Sequence, residues 1–294
     1  MILDNAIQEA SQLLKNNNIG SHQLDAQIIL SDILGVNKEF LIINDKINIS
    51  KKNFQKYKQA IERRINNEPV AYIIGKKEFW SENFLVNYET LIPRPETELM
   101  IYKIINFFKN KKINILDIGT GSGCVLLSIL KELKFSRGTG IDISSKAIRI
   151  AKKNSNKLNL LNRSKFKMFD INDFSQGKYD LIVSNPPYIP KREIKNLSKD
   201  IINYEPLVAL DGGKDGLDLI KKVIYKSKYI LKKNGMFALE IGNNQYKKVA
   251  YYLNVHGFRE ISKVYDFNQN VRCIITTKWI FFSLNDNYFD KLKF

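Results

Sequence analysis

The 294-residue chain predicts an α/β protein: a doubly wound sheet with an antiparallel last strand, preceded by a small all-helical N-terminal domain. Three observations lead there. From Ile113 to Leu253, short apolar runs alternate with amphipathic stretches, the order that builds a parallel sheet covered by helices. The last two runs, Arg259–Tyr265 and Val271–Thr277, are joined by too few residues for a crossover, so they pair antiparallel. Residues 2–65, by contrast, repeat their apolar positions at helical spacing.

That front module reads as three helices. Ala6, Ala10, Leu13 and Leu14 share one face of the first, which ends at Asn16-Asn17-Asn18. Ser21 is a candidate N-cap for the second, which closes at Gly35. Ser50 caps a third through Phe54, Tyr57, Ile61 and Ile65, and Pro69 prevents its continuation. From Gly75 to about Tyr88 the pattern turns extended around Ser81-Glu82-Asn83, which suggests a hairpin. The expected organisation is a helical domain at 1–74, a β-hairpin linker at 75–90, a second domain at 91–280 and a C-terminal tail at 281–294.

After the hairpin come Pro93-Arg94-Pro95-Glu96-Thr97-Glu98, with Glu96 or Thr97 opening a helix. Carboxylates in a first turn are favoured by the helix dipole, which is one reading of Glu96 and Glu98; an active-site role is the other, and the sequence does not choose between them.

The strand Ile113–Ile118 runs into Gly119-Thr120-Gly121-Ser122-Gly123 and then a helix through Val125 and Leu126. Glycine at alternate positions lets backbone approach a ligand closely and tolerates left-handed φ. Cys124 stands where a dinucleotide fingerprint needs its third glycine, and no phosphate-gripping Gly-Lys-Ser/Thr follows. The loop therefore points to a nucleoside cofactor without a pyrophosphate. A second strand ends in Asp142, 23 residues beyond Gly119, where a carboxylate would grip a ribose diol. A third strand ends at Asp170-Ile171, where an adenine would be bracketed.

The fourth strand, Tyr179–Val183, meets Ser184-Asn185-Pro186-Pro187-Tyr188. Each proline lacks a ladder N–H and fixes φ, and the residue before a proline is restricted as well. The product is a stiff turn at the C-terminal sheet edge, where ligands of open α/β sheets bind.

Bulk numbers narrow the class. Cys124 and Cys273 are too few for a disulfide framework or a zinc site, and no apolar run is long enough to span a membrane. Met1-Ile2-Leu3-Asp4-Asn5 lacks a secretory pattern, which fits a cytoplasmic setting. The net charge is +17, yet residues 1–80 hold 11 basic and 9 acidic side chains, and the lysines downstream are scattered through helices. The surplus is a weak pointer to an anionic or ribosome-associated setting, and direct nucleic-acid binding is not expected as the primary function.

Taken together, Asp117–Gly123, Asp142 and Asn185-Pro186-Pro187-Tyr188 resemble a class I S-adenosylmethionine-dependent methyltransferase acting on a planar NH2 group. With Leu91–Glu98 and the helical front end, the chain to about Lys278 resembles the peptide chain release factor glutamine N5-methyltransferases. The resemblance implies a Rossmann-like methyltransferase fold, S-adenosylmethionine as cofactor and release factors as protein partners, recognised in part by the front domain. It implies that Gly119, Thr120, Gly121, Ser122, Gly123, Asp142, Asp170, Ile171 and Asn185 line the cofactor. Ile171 stands where the family often carries an aromatic. It also implies that Asn185, Pro186, Pro187 and Tyr188 hold the glutamine of a Gly-Gly-Gln loop, with Asn185, Pro186 and Tyr188 catalytic and no metal.

The chemistry suits those residue types. An amide nitrogen is a poor nucleophile because its lone pair is delocalised, so its NH2 must be held with that pair in line with the methyl group. The Asn185 side-chain oxygen and the Pro186 carbonyl can accept the two N–H groups, while Tyr188 packs on the flat amide. The alternative is an adenine N6-methyltransferase acting on DNA or RNA, since the same turn suits an exocyclic amine on a flipped base.

Overall fold

The computed structural model describes residues 1–279, so the expected tail at 281–294 lies outside the described residues. The described residues form two compact units: Met1–Pro93 with Arg192–Leu210, and Arg94–Lys191 with residues 211–279.

The first unit opens with α1 (Leu3–Asn16), α2 (His22–Leu34), α3 (Lys38–Ile43), α4 (Lys51–Ile65) and α5 (Val70–Ile74). Its core gathers Leu3, Ala6, Ala10, Leu14, Ile29, Leu30, Tyr57 and Ile61; Leu13, expected on the apolar face of the first helix, is exposed instead. Ser50 caps α4 by accepting the Asn53 N–H at 3.2 Å. Ser21 precedes α2 but makes no such cap; its hydroxyl donates to Asp25 Oδ2 at 2.7 Å. Two short helices escaped the periodicity because neither repeats its pattern. Asn37 caps α3 by accepting the Phe40 N–H; α4 ends at Ile65, before a left-handed Asn67, and Pro69 beyond it starts α5 by accepting from Tyr72. The hairpin is β1 (Lys76–Phe79) and β2 (Glu82–Leu85), turned by Trp80 and Ser81 at left-handed φ.

The second unit starts with α6 (Pro95–Phe108), β3 (Asn114–Ile118), α7 (Cys124–Glu132), β4 (Arg137–Asp142), α8 (Ser145–Lys157), β5 (Ser164–Met168) and β6 (Tyr179–Ser184). The chain then contributes α9 (Lys199–Tyr204) to the first unit. There the Tyr204 ring packs with Tyr72, Val86 and Ile92, and buried Glu205 accepts the Ile92 N–H at 3.2 Å. Back in the second unit follow α10 (Asp218–Ile230), β7 (Leu231–Glu240), α11 (Tyr246–Val255), β8 (Phe258–Tyr265) and β9 (Val271–Lys278).

The seven strands lie in the order β5-β4-β3-β6-β7-β9-β8, parallel through β7 and antiparallel for the last two. One core joins Leu116, Ile182, Phe237 and Ile274 of the sheet to Ile220, Val223, Val249 and Leu253 of α10 and α11. The strand order reverses between β3 and β6, so the crevice for a ligand opens beyond their C-terminal ends.

Candidate active site

Register decides what meets at that edge. Ile118 is paired with Ile141 on one side and Ser184 on the other, and Ser184 is paired with Leu239. Gly119, Asp142, Asn185 and Glu240 each follow a member of that row, so four strands end side by side in four chemically distinct corners. Three were expected from sequence. Glu240 was not.

At the first corner the backbone is left-handed at Gly119 (φ 74°) and Gly121 (φ 54°), and a Cβ at either would meet no atom within 4 Å. These glycines therefore border open space, as a ligand-facing loop requires. Thr120 turns inward and donates to Asp117 Oδ2 at 2.6 Å, a bond that ties the loop to the strand beneath it. Burial pushes the Asp117 carboxyl up to about 7, against the lowering effect of the Thr120 bond. Ser122 is buried at the helix entry, where the Asn154 amide donates to its carbonyl at 2.9 Å.

Asp142 accepts the Gly121 N–H at 2.9 Å and the Ser144 N–H at 2.9 Å, one on each oxygen. The carboxylate is thereby fixed against the glycine loop with lone pairs to spare, and burial raises its pKa. Beyond β5, Asp170 is exposed and its side chain accepts the Asn172 N–H, an Asx turn. Ile171 is buried and packs in the sheet core with Phe174, which assigns it a structural part whatever it also does for an adenine. The open glycines and the pinned acid suit a nucleoside cofactor.

The third corner is the Asn-Pro-Pro-Tyr turn. Ser184 is fully buried and donates to the Ile118 carbonyl at 2.8 Å, which locks the two strand ends together. Pro186 is buried, while Asn185, Pro187 and Tyr188 are half-buried. The loop from Asp211 to Gly216 braces the turn: Gly212 donates to the Ile189 carbonyl, and Lys191 to the Gly213 carbonyl, each at 2.9 Å. Gln245 adds a clamp, donating to the Tyr188 carbonyl at 2.9 Å and the Gly216 carbonyl at 3.2 Å. A Cβ on Gly216 would lie 2.3 Å from the Tyr188 carbonyl oxygen, so only glycine permits that approach.

Behind the turn stands the fourth corner. Glu240 is 1% exposed. Its Oε2 accepts the Thr97 hydroxyl at 2.7 Å, and its Oε1 faces the Tyr188 hydroxyl at 3.5 Å. Thr97 Oγ1 in turn receives the Asn185 side-chain NH2 at 3.4 Å. Arg272 donates to the Tyr188 hydroxyl at 3.0 Å and lies over its ring, 5.4 Å from the centroid. Burial pushes Glu240 up to about 7 and Tyr188 up to about 12. The sequence offered one signal for Glu240, a carboxylate closing an apolar strand. Thr97, Gln245 and Arg272 offered none, because each reaches the turn from at least 57 residues away in the chain.

Fold and site together define a class I S-adenosylmethionine-dependent methyltransferase. Residues 5–75 match the family model described as PrmC N-terminal domain, and residues 109–252 match that of a methyltransferase domain. The release factor glutamine methyltransferase of Buchnera aphidicola subsp. Schizaphis graminum is 43% identical over 84% of this chain and 90% of its own. That of Clostridium acetobutylicum is 36% identical over 95% of this chain and 99% of its own. The chain belongs to the release factor glutamine methyltransferases. Among solved structures, a methyltransferase from Pyrococcus furiosus matches with a TM-score of 0.52 at 18% identity, over 74% of this chain and 98% of that one. The hMettl16 catalytic domain in complex with the MAT2A 3'UTR hairpin 1 matches with a TM-score of 0.57 at 15% identity, over 85% and 91%. Both likenesses concern the fold alone.

Proposed function

We infer that the protein transfers a methyl group from S-adenosylmethionine to the side-chain amide nitrogen (N5) of the glutamine in the Gly-Gly-Gln loop of release factors. The observation that carries this is the single row of strand ends that sets an open glycine loop and its acid beside a proline-braced turn rich in acceptors. Among the described residues no helix is long and apolar enough to cross a membrane, and we place the reaction in the cytoplasm, where release factors act.

S-adenosylmethionine, when bound, supplies an electrophilic methyl group on a sulfonium. Gly119–Gly123 and Asp142 would hold its nucleoside, with Asp142 accepting from the ribose and Asp170 and Ile171 near the base. Asn185 is placed to do the rest with Pro186. Its NH2 is directed at Thr97, so its Oδ1 faces away from that hydroxyl and is the end offered to substrate. Two acceptors, Asn185 Oδ1 and the Pro186 carbonyl, fix the glutamine NH2 through its two hydrogens and leave the nitrogen lone pair pointing along the transfer axis. The acceptors also strengthen as positive charge develops on that nitrogen. Once methylated, the nitrogen sheds one proton readily, so no strong base is needed beforehand. Tyr188 covers the flat amide with its ring, while its hydroxyl is held by Arg272 and Glu240. The helical domain at 1–74 is assigned to recognising the release factor.

The adenine alternative gains no support. The Buchnera and Clostridium relatives, which match over 84% and 95% of this chain, are named for release factor glutamine, and the RNA-bound neighbour shares only the fold. Incubating a release factor with this protein and isotope-labelled S-adenosylmethionine, then sequencing peptides by mass spectrometry, tests the assignment. One labelled methyl on the Gly-Gly-Gln glutamine is expected. Label found instead on adenine of added nucleic acid, with none on the glutamine, contradicts it.

A further inference from the structure

We infer that Thr97 and Glu240 are positioning residues that set the rotamer of the Asn185 amide, so that its oxygen rather than its NH2 meets the substrate. The inference rests on the reading of Asn185 as an acceptor for the glutamine NH2.

An asparagine side chain is nearly symmetric in shape. A half-turn about its last bond exchanges acceptor for donor and would repel the amide hydrogens that the site must hold. Something must break that symmetry, and Asn185 sits on a turn whose prolines fix the backbone but not the amide plane. The neighbour at hand is Thr97 Oγ1, at 3.4 Å from Asn185 Nδ2. A hydroxyl alone cannot decide, because it donates as well as accepts. Glu240 makes the decision: its buried carboxylate takes the Thr97 hydroxyl hydrogen at 2.7 Å. With its hydrogen spent there, Thr97 has only lone pairs to show Asn185, and only the NH2 end fits. Glu240 faces the Tyr188 hydroxyl with its other oxygen, so one carboxylate serves both side chains of the turn. The Asn185 contact is long, as such bonds often are before a substrate tightens them.

The Glu240 carboxylate is faced by Thr97 and Glu96 from α6, Tyr188 from the turn, and Arg272 and Cys273 from β9. Burial costs it more than any single partner returns, a cost with a structural explanation if it fixes the polarity of the hydroxyl beside it.

The test is a double-mutant cycle on the full-length protein, with a release factor and S-adenosylmethionine both saturating. Thr97→Val keeps the branched shape and removes the hydroxyl. It should lower kcat by about tenfold to a hundredfold, the scale of a small misplacement of a reacting group. S-adenosylmethionine affinity should stay within about twofold, while Thr97→Ser should restore most of kcat. In an Asn185→Ala background, Thr97→Val should add no further loss, because its effect passes through Asn185. Thr97→Val turning over at the wild-type rate while Asn185→Ala is impaired overturns the inference and leaves the reading of Asn185 standing. Losses that multiply independently at the two positions also overturn it. An Asn185→Ala protein of wild-type activity overturns the underlying reading instead. Should Thr97→Val not fold, because it leaves a buried carboxylate short of a donor, Thr97→Val with Glu240→Gln carries the same test. Its kcat should fall likewise, and a wild-type kcat would contradict the proposal.

Discussion

The buried carboxylates of Asp25 in the first unit and of Glu240 and Asp117 in the second are held in opposite ways. In the first, Asp25 is buried against the Arg64 guanidinium at 2.7 Å and also receives the Ser21 hydroxyl, so charge is matched by charge. In the second, Glu240 and Asp117 are buried with neutral hydroxyls as their nearest hydrogen-bonding partners, and each is pushed up to about 7 by lost solvation. A matched pair is what a scaffold needs. A carboxylate held short of full compensation, next to a ligand crevice, is more often part of a site's machinery. The contrast teaches where the molecule holds its shape and where it keeps chemistry in reserve.

The largest effect should come from breaking the matched pair. Arg64→Met leaves the Asp25 carboxylate buried without its counter-charge, at a cost of about 3–5 kcal/mol to the first unit. Chemical denaturation should show that unit melting early, while S-adenosylmethionine affinity, which belongs to the second unit, stays near wild type. Next in size is Asp142→Asn. It retains one acceptor but loses the charge, and should weaken S-adenosylmethionine binding by about tenfold to a hundredfold, as isothermal titration would record. Equal affinity in the variant would remove Asp142 from the cofactor site.

The smallest effect is one of pH. A carboxyl whose folded pKa is raised keeps its proton longer in the native state than in the unfolded chain. It therefore costs stability as pH climbs from the ordinary carboxylate range through about 7, and nothing more above that. Glu240→Gln and Asp117→Asn remove that titration. Their melting temperatures relative to wild type should rise between about pH 5 and about pH 8.

Much of this was legible in sequence because it is local. The glycine loop, Asp142 and the Asn-Pro-Pro-Tyr turn each lie within a few residues of the strand that ends there, and strand order brings the corners together without further information. The antiparallel last strands followed from a short connection. The short helices α3, α5 and α9 were not legible, since a single turn has no period to detect. Nor was the link between 192–210 and the front unit, which depends on the Tyr204 ring and the Glu205 carboxylate finding partners more than a hundred residues away. Ile171 shows the converse limit: its place after a strand marked it for the cofactor, but an apolar side chain there packs equally well inward.

The most direct measurement of the central claim is the single-turnover rate of methyl transfer to a release factor by Asn185→Ala, with S-adenosylmethionine affinity measured on the same protein. Orientation by the turn predicts a rate lower by about a hundredfold or more, with cofactor binding largely retained. Transfer at the wild-type rate would contradict it.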